Sequence, residues 1–107
     1  MKPVVAVVGL GQIGGSLSAA LTRRGLARVI GITRRPETAR RARRMGLLAG
    51  ASTRPEDAAG ADVVFLATPV RTLLRQVPEF ARLAGTNAIL SDVGSTKTEV
   101  VRAFRAL

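Results

Sequence analysis

The feature that most constrains the fold is Gly9-Leu10-Gly11-Gln12-Ile13-Gly14, a G-x-G-x-x-G placed between two different kinds of apolar pattern. Before it runs Val4-Val5-Ala6-Val7-Val8, continuous and largely β-branched. After it Ile13, Leu17, Ala20 and Leu21 recur at helical spacing. A strand, a glycine turn and a helix explain the whole segment. Gly9 permits the tight turn, Gly11 lets a backbone approach a pyrophosphate, and Gly14 lets the helix lie close on the strand. The helix amino terminus then offers amide donors and positive potential to phosphates. The segment from Pro3 to Thr22 is free of charge and superficially resembles a signal peptide or a spanning helix. Its four glycines and the change of pattern at Gly9 argue against both, and a cytoplasmic location is expected.

The alternation continues. A second strand is expected over about 28–33 and a second helix over about 36–45, with Pro36 in its first turn and Gly46 after its end. A weak third strand lies near 47–51. Residues 61–67 form a fourth strand, and Pro69 opens a helix with Val70, Leu73, Leu74, Val77 and Phe80 on one stripe, kinked at Pro78. A fifth strand covers about 88–92, and Thr96 with Glu99 forms a capping box for a last helix with Val100, Val101 and Phe104 inward. Apolar strands alternating with amphipathic helices mean a mostly parallel sheet covered on both faces. The fold class is therefore α/β, a Rossmann-type doubly wound sheet truncated after its fifth strand and following helix, with residues 1–107 as one NAD(P)-binding domain.

Composition removes several chemistries. The 107 residues include no His and no Cys. A Ser-His-Asp triad, a Cys nucleophile and a thiolate or imidazole metal site are excluded, and no metal is expected. The formal charge of +10 comes almost wholly from arginine, which suggests anionic partners. Nucleic acid is disfavoured, because base-stacking aromatics are missing: Phe65, Phe80 and Phe104 each lie inside an apolar run. Arg40, Arg41, Arg43 and Arg44 point away from an inner face of Ala39, Ala42 and Met45 and form a solvated surface.

The second strand ends at Gly31-Ile32-Thr33-Arg34-Arg35-Pro36. NAD-binding domains place a carboxylate there to hold the ribose hydroxyls. Here Thr33 occupies the place and two guanidiniums follow. A carboxylate would repel a 2′-phosphate, whereas Thr33, Arg34 and then Arg35 can bond to one. NADP is the preferred cofactor, with NAD accommodated. Two further loops fall at the strand ends where open α/β sheets bind ligands, Ala67-Thr68-Pro69 and Ser91 to Lys97.

Taken together, Val8 to Leu17, Ala67-Thr68-Pro69-Val70 and Ser91-Asp92-Val93-Gly94-Ser95-Thr96-Lys97 resemble the cofactor domain of prephenate/arogenate dehydrogenases. The resemblance implies oxidative decarboxylation of prephenate or arogenate in tyrosine biosynthesis, with a hydride passed to NADP or NAD. It implies cofactor contacts from Gly9, Gly11, Gln12, Ile13, Gly14, Thr33, Arg34, Arg35, Ala67, Thr68 and Pro69. It also implies that Ser95 orients the ring hydroxyl and that Asp92 and Lys97 shape the same substrate pocket. Members of the family use a His on a later segment as base, and a helical domain for dimer contacts and substrate binding. Neither is present here, and loss of a positioned base costs roughly 10²–10⁴ in rate. The expectation is an amino-terminal fragment that binds NADP weakly, catalyses little alone, meets its small-molecule substrate only in the complete enzyme, and forms a homodimer through its exposed sheet edge. Two alternatives stand beside it: the cofactor domain of another 6-phosphogluconate-dehydrogenase-like NADP oxidoreductase, and a nonenzymatic NADP-binding regulatory module.

Overall fold

The computed structural model describes residues 2–46, 48–84 and 88–92. The chain runs β1 (Val4–Val8), α1 (Gln12–Arg23), β2 (Arg28–Ile32), α2 (Pro36–Met45), β3 (Gly50–Ser52), a single 3-10 turn (Pro55–Ala58), β4 (Val63–Leu66), α3 (Val70–Ala84) and β5 (Ile89–Asp92). The five strands form one sheet in the order β3-β2-β1-β4-β5, and every pairing is parallel. The direction of growth reverses at β1. After β3 the chain returns across the sheet to lay β4 against the free side of β1.

Alternation along β1 decides what each face buries. Val5 and Val7 pack with Ala27 and Val29 beneath Leu17 and Leu21 of α1. Ala6 and Val8 pack on the other face with Val64, Leu66 and the α3 stripe Leu73, Val77 and Phe80. Helices on both faces explain why the central strands β1, β2 and β4 carry a single polar residue, Arg28. Leu66 is fully buried in this second cluster, so Leu66→Ala is expected to lower stability by about 2–5 kcal/mol. A shift in the urea midpoint without a change in slope is the signature to look for. At the opposite end of the sheet the Val4 N–H donates to the Asp62 carboxylate at 2.8 Å, and the Asp62 N–H donates to the Val4 carbonyl at 2.8 Å. These two bonds pin the start of β1 to the approach of β4.

The expected elements appear with shorter strands. The third strand lies at Gly50–Ser52, and Leu47 is outside the described residues. The turn at Pro55–Ala58 had no sequence periodicity to betray it. The α3 helix is continuous through Pro78. The helix expected after Thr96 lies outside the described residues, as does the side chain of Val70.

Burial and hydrogen bonding correct two assignments, Met45 and Arg43. Met45, expected on the inner face of α2, is 61% exposed, and in α1 Ile13 (60% exposed) and Ala20 face outward although they recur at helical spacing with Leu17 and Leu21. In α1 the buried residues are Gly14 and Ser18, because a helix this close to its sheet has room only for small groups at the contact. Ser18 satisfies its buried hydroxyl by donating to the Gly14 carbonyl at 2.8 Å. Arg43 is not merely solvated: its Nη1 donates to the Ala51 carbonyl at 3.0 Å and ties α2 to the edge strand β3.

Candidate functional site

The carboxyl ends of β1, β2 and β4 converge where the strand order reverses, the place where open α/β sheets form a ligand crevice. Three turns meet there. Gly9 has φ +95, and a Cβ on it would stand 2.7 Å from Thr68 Cγ2 and 2.9 Å from the Ala67 carbonyl oxygen. The β1 turn and the β4 turn are therefore packed backbone against backbone, and only glycine fits between them. A Cβ on Gly14 would run into the Gly9 carbonyl, so this glycine sets the distance from α1 to β1.

Gly11 is different. It is the N-cap of α1, has φ −74, and a Cβ there would meet nothing within 4 Å. Nothing in the protein's own packing demands a glycine at this position. Nor does any side chain cap the helix, and its first turn carries no acidic residue. The orphan amides of that turn and their positive potential are left facing outward, uncontested by a carboxylate. These residues fit the pyrophosphate of a dinucleotide.

A groove of about 530 Å³ opens over this junction and unites Gly9, Gly11, Thr33, Arg34, Arg35, Thr68 and Pro69. Sequence spacing singled out all seven. Thr33 continues the β2 ladder by donating its N–H to the Ser52 carbonyl at 3.0 Å, which fixes its position at the strand end. Its hydroxyl accepts the Arg35 N–H at 3.4 Å and keeps its own proton for donation. Arg34 and Arg35 are exposed and have no ion-pair partner among the described residues. Their charge is thus available to a ligand.

The other predicted positions among the described residues lie outside the lining of this groove. Gln12 and Ile13 are exposed in the first turn of α1, Gly14 is buried behind the Gly9 carbonyl, and Ala67 supplies the backbone that Gly9 touches. Asp92 ends β5, paired in register with Leu66 one strand beyond the groove, and is half-buried. Ser95 and Lys97 lie outside the described residues.

Sequence reasoning missed the α3 wall of the groove, above all Gln76. It is only 7% exposed, and its Oε1 accepts the Thr68 hydroxyl proton at 2.6 Å. The available signal was a lone amide on an otherwise apolar stripe, between Leu73 and Val77. Among the described residues no helix is long and apolar enough to cross a membrane.

Comparison with known proteins agrees with this geometry. Residues 17–107 match the family model described as prephenate dehydrogenase, nucleotide-binding domain. That match begins after the glycine turn, so it is independent of the G-x-G-x-x-G. Prephenate dehydrogenase of Bacillus subtilis (strain 168) is 36% identical over 104 residues, covering 94% of this chain and 28% of the relative. The crystal structure of Synechocystis arogenate dehydrogenase superposes with a TM-score of 0.91 at 32% identity, over 96% of this chain and 37% of the other. Prephenate dehydrogenase from A. aeolicus, solved in complex with hydroxyphenyl propionate and NAD+, gives a TM-score of 0.84 at 25% identity, over 97% of this chain and 38% of the other. The chain thus spans little more than a quarter to two-fifths of these relatives' lengths.

Proposed function

The chain belongs to the family of prephenate dehydrogenase nucleotide-binding domains, and on that premise we propose that it holds NADP, in preference to NAD, for the oxidative decarboxylation of prephenate or arogenate. The observation that carries the proposal is the meeting of Gly9, Gly11, Arg34, Thr68 and Pro69 in one groove at the sheet's reversal point. The α1 amides beside Gly11 bind the pyrophosphate. Thr33 and Arg34 take the 2′-phosphate, with Arg35 adding long-range attraction. The B. subtilis and A. aeolicus relatives are prephenate dehydrogenases, and the Synechocystis relative is an arogenate dehydrogenase.

Bound nicotinamide supplies the hydride acceptor. The work of this chain is to bind and orient: Gly9 and Thr68 fix the shape of the groove, and in this proposal Gln12, Ile13 and Ala67, which stand next to its lining in the chain, add cofactor contacts. In this proposal Asp92 and Lys97 line the substrate side and Ser95 orients the ring hydroxyl. These 107 residues contain no His, and the hydroxyl proton leaves to a group elsewhere in the complete enzyme.

Calorimetric titration of the chain with NADP and NAD in parallel tests the binding half of the proposal. Both should bind, NADP more tightly. Equal affinity would remove the 2′-phosphate assignment. Failure of a folded sample to bind either nucleotide would remove the nucleotide site.

A further inference from the structure

The groove does not end at the arginines. On the α3 face of the sheet it continues into a recess bordered by Thr53 and Pro55, which follow β3, and by Thr72, Gln76 and Glu79 of α3. The 3-10 turn begun by Pro55 packs against α3. If the dinucleotide's pyrophosphate lies at the amino end of α1 and its 2′-phosphate at Arg34, the base attached to that ribose is the group left to enter the recess. The inference therefore rests on the nucleotide site proposed above.

Of the three polar residues of α3 in this recess, Gln76 and Glu79 differ in hydrogen-bonding sense. The Oε1 of Gln76 is occupied by the Thr68 hydroxyl, which fixes the amide plane, and its Nε2 has no protein partner among the described residues. What Gln76 offers is a donor. Glu79 lies one turn further along the same helix, half-buried and without an ion-pair partner among the described residues. An ionised carboxylate is an acceptor only. Residues three apart on a helix are neighbours, so the recess presents a donor beside an acceptor.

Adenine has the complementary edge, with the N1 lone pair accepting and the N6 amine donating. Hypoxanthine has the reverse, with N1–H donating and O6 accepting. We propose that Gln76 and Glu79 read the Watson–Crick edge of the adenine base, Gln76 Nε2 donating to N1 and Glu79 accepting from N6, so that the site selects the base as well as the phosphate. With a 6-oxopurine both contacts become like against like. A site built to bond a specific polar edge rejects an analogue that leaves those groups unpaired.

The test compares NADP with its hypoxanthine analogue by calorimetry on the full chain. The unaltered protein should bind NADP about tenfold or more tightly than the analogue. In Glu79→Gln the new amide can turn either its oxygen or its nitrogen toward the base, and the gap should narrow to about threefold. In Gln76→Leu the gap should narrow as well, with NADP itself weakened. Thermal melting of both variants checks that they are folded, and Glu79→Gln, being half-exposed, keeps the test alive if the buried substitution fails. Equal binding of the two dinucleotides by the unaltered protein overturns the inference. So does a gap that survives in folded Glu79→Gln. Binding of neither dinucleotide by the unaltered protein is a different outcome and overturns the nucleotide site itself.

Discussion

Arg34→Ala is expected to abolish discrimination between NADP and NAD. The guanidinium stands free at the end of β2, beside a Thr33 whose hydroxyl retains its proton. A charge-assisted bond to a phosphate is worth about 1.5–3 kcal/mol, so NADP should weaken by roughly 10- to 100-fold. NAD, with no phosphate to lose, should change by less than about threefold in the same variant. Because Arg34 is exposed, added salt should shrink the NADP advantage of the unaltered protein in parallel. Paired calorimetric titrations at two ionic strengths measure both effects. Equal weakening of the two cofactors would mean that Arg34 supports the groove without singling out the 2′-phosphate.

The second large effect separates two glycines only three residues apart. Gly14→Ala drives a methyl into the Gly9 carbonyl and to 3.3 Å from Ala67 Cβ. Neither obstacle is the far end of a flexible side chain, so α1 must lift from β1. A loss of about 3 kcal/mol or more is expected, a large part of the roughly 5–15 kcal/mol that holds such a domain together. Gly11→Ala meets open space, and its stability should stay within about 0.5 kcal/mol of the parent. Its methyl would instead occupy the approach to the pyrophosphate, and NADP should weaken by about tenfold or more. Denaturation midpoints and nucleotide titrations on the two variants therefore ought to give opposite patterns. A stable Gly14→Ala would show that the α1–β1 contact has slack, and unimpaired binding by Gly11→Ala would show that the phosphate does not pass over that position.

Much of this is legible in the sequence. The glycine spacing, the β-branched runs and the Thr33-Arg34-Arg35 corner depend on local chemistry, and all of them lie where the sequence pattern put them. The bounds of α2 were readable because Pro36 presets its first turn and Gly46, at φ +69, supplies the left-handed exit. Met45 follows the inner stripe of α2 and is nonetheless exposed, as are Ile13 and Ala20 in α1, because periodicity gives the direction of a face but not how far the sheet beneath extends. Ser18 is buried for the opposite reason: where backbones come closest, small residues replace large ones and look like gaps in the stripe. The α3 wall was invisible for a third reason. Gln76 matters through Thr68, eight residues away, and no local pattern announces that the first turns of α3 will face the end of β2.

The reversal at β1 also sets an order in time. β1 and β2 are joined by one short helical connection, but the bonds between Val4 and Asp62 close a separation of 58 residues. Local contacts form quickly, whereas long loops delay the pairings that depend on them. On the ribosome, β1, α1 and β2 can assemble while β4 has yet to emerge, leaving one side of the central strand bare. The turn at Thr68 that wedges against Gly9 arrives only with β4, so the nucleotide groove is among the last parts of the described fold to exist. A ligand that spans this junction binds the completed sheet more tightly than the β1–α1–β2 precursor, which carries Gly11 and Arg34 but not Thr68, and so favours the finished fold by mass action.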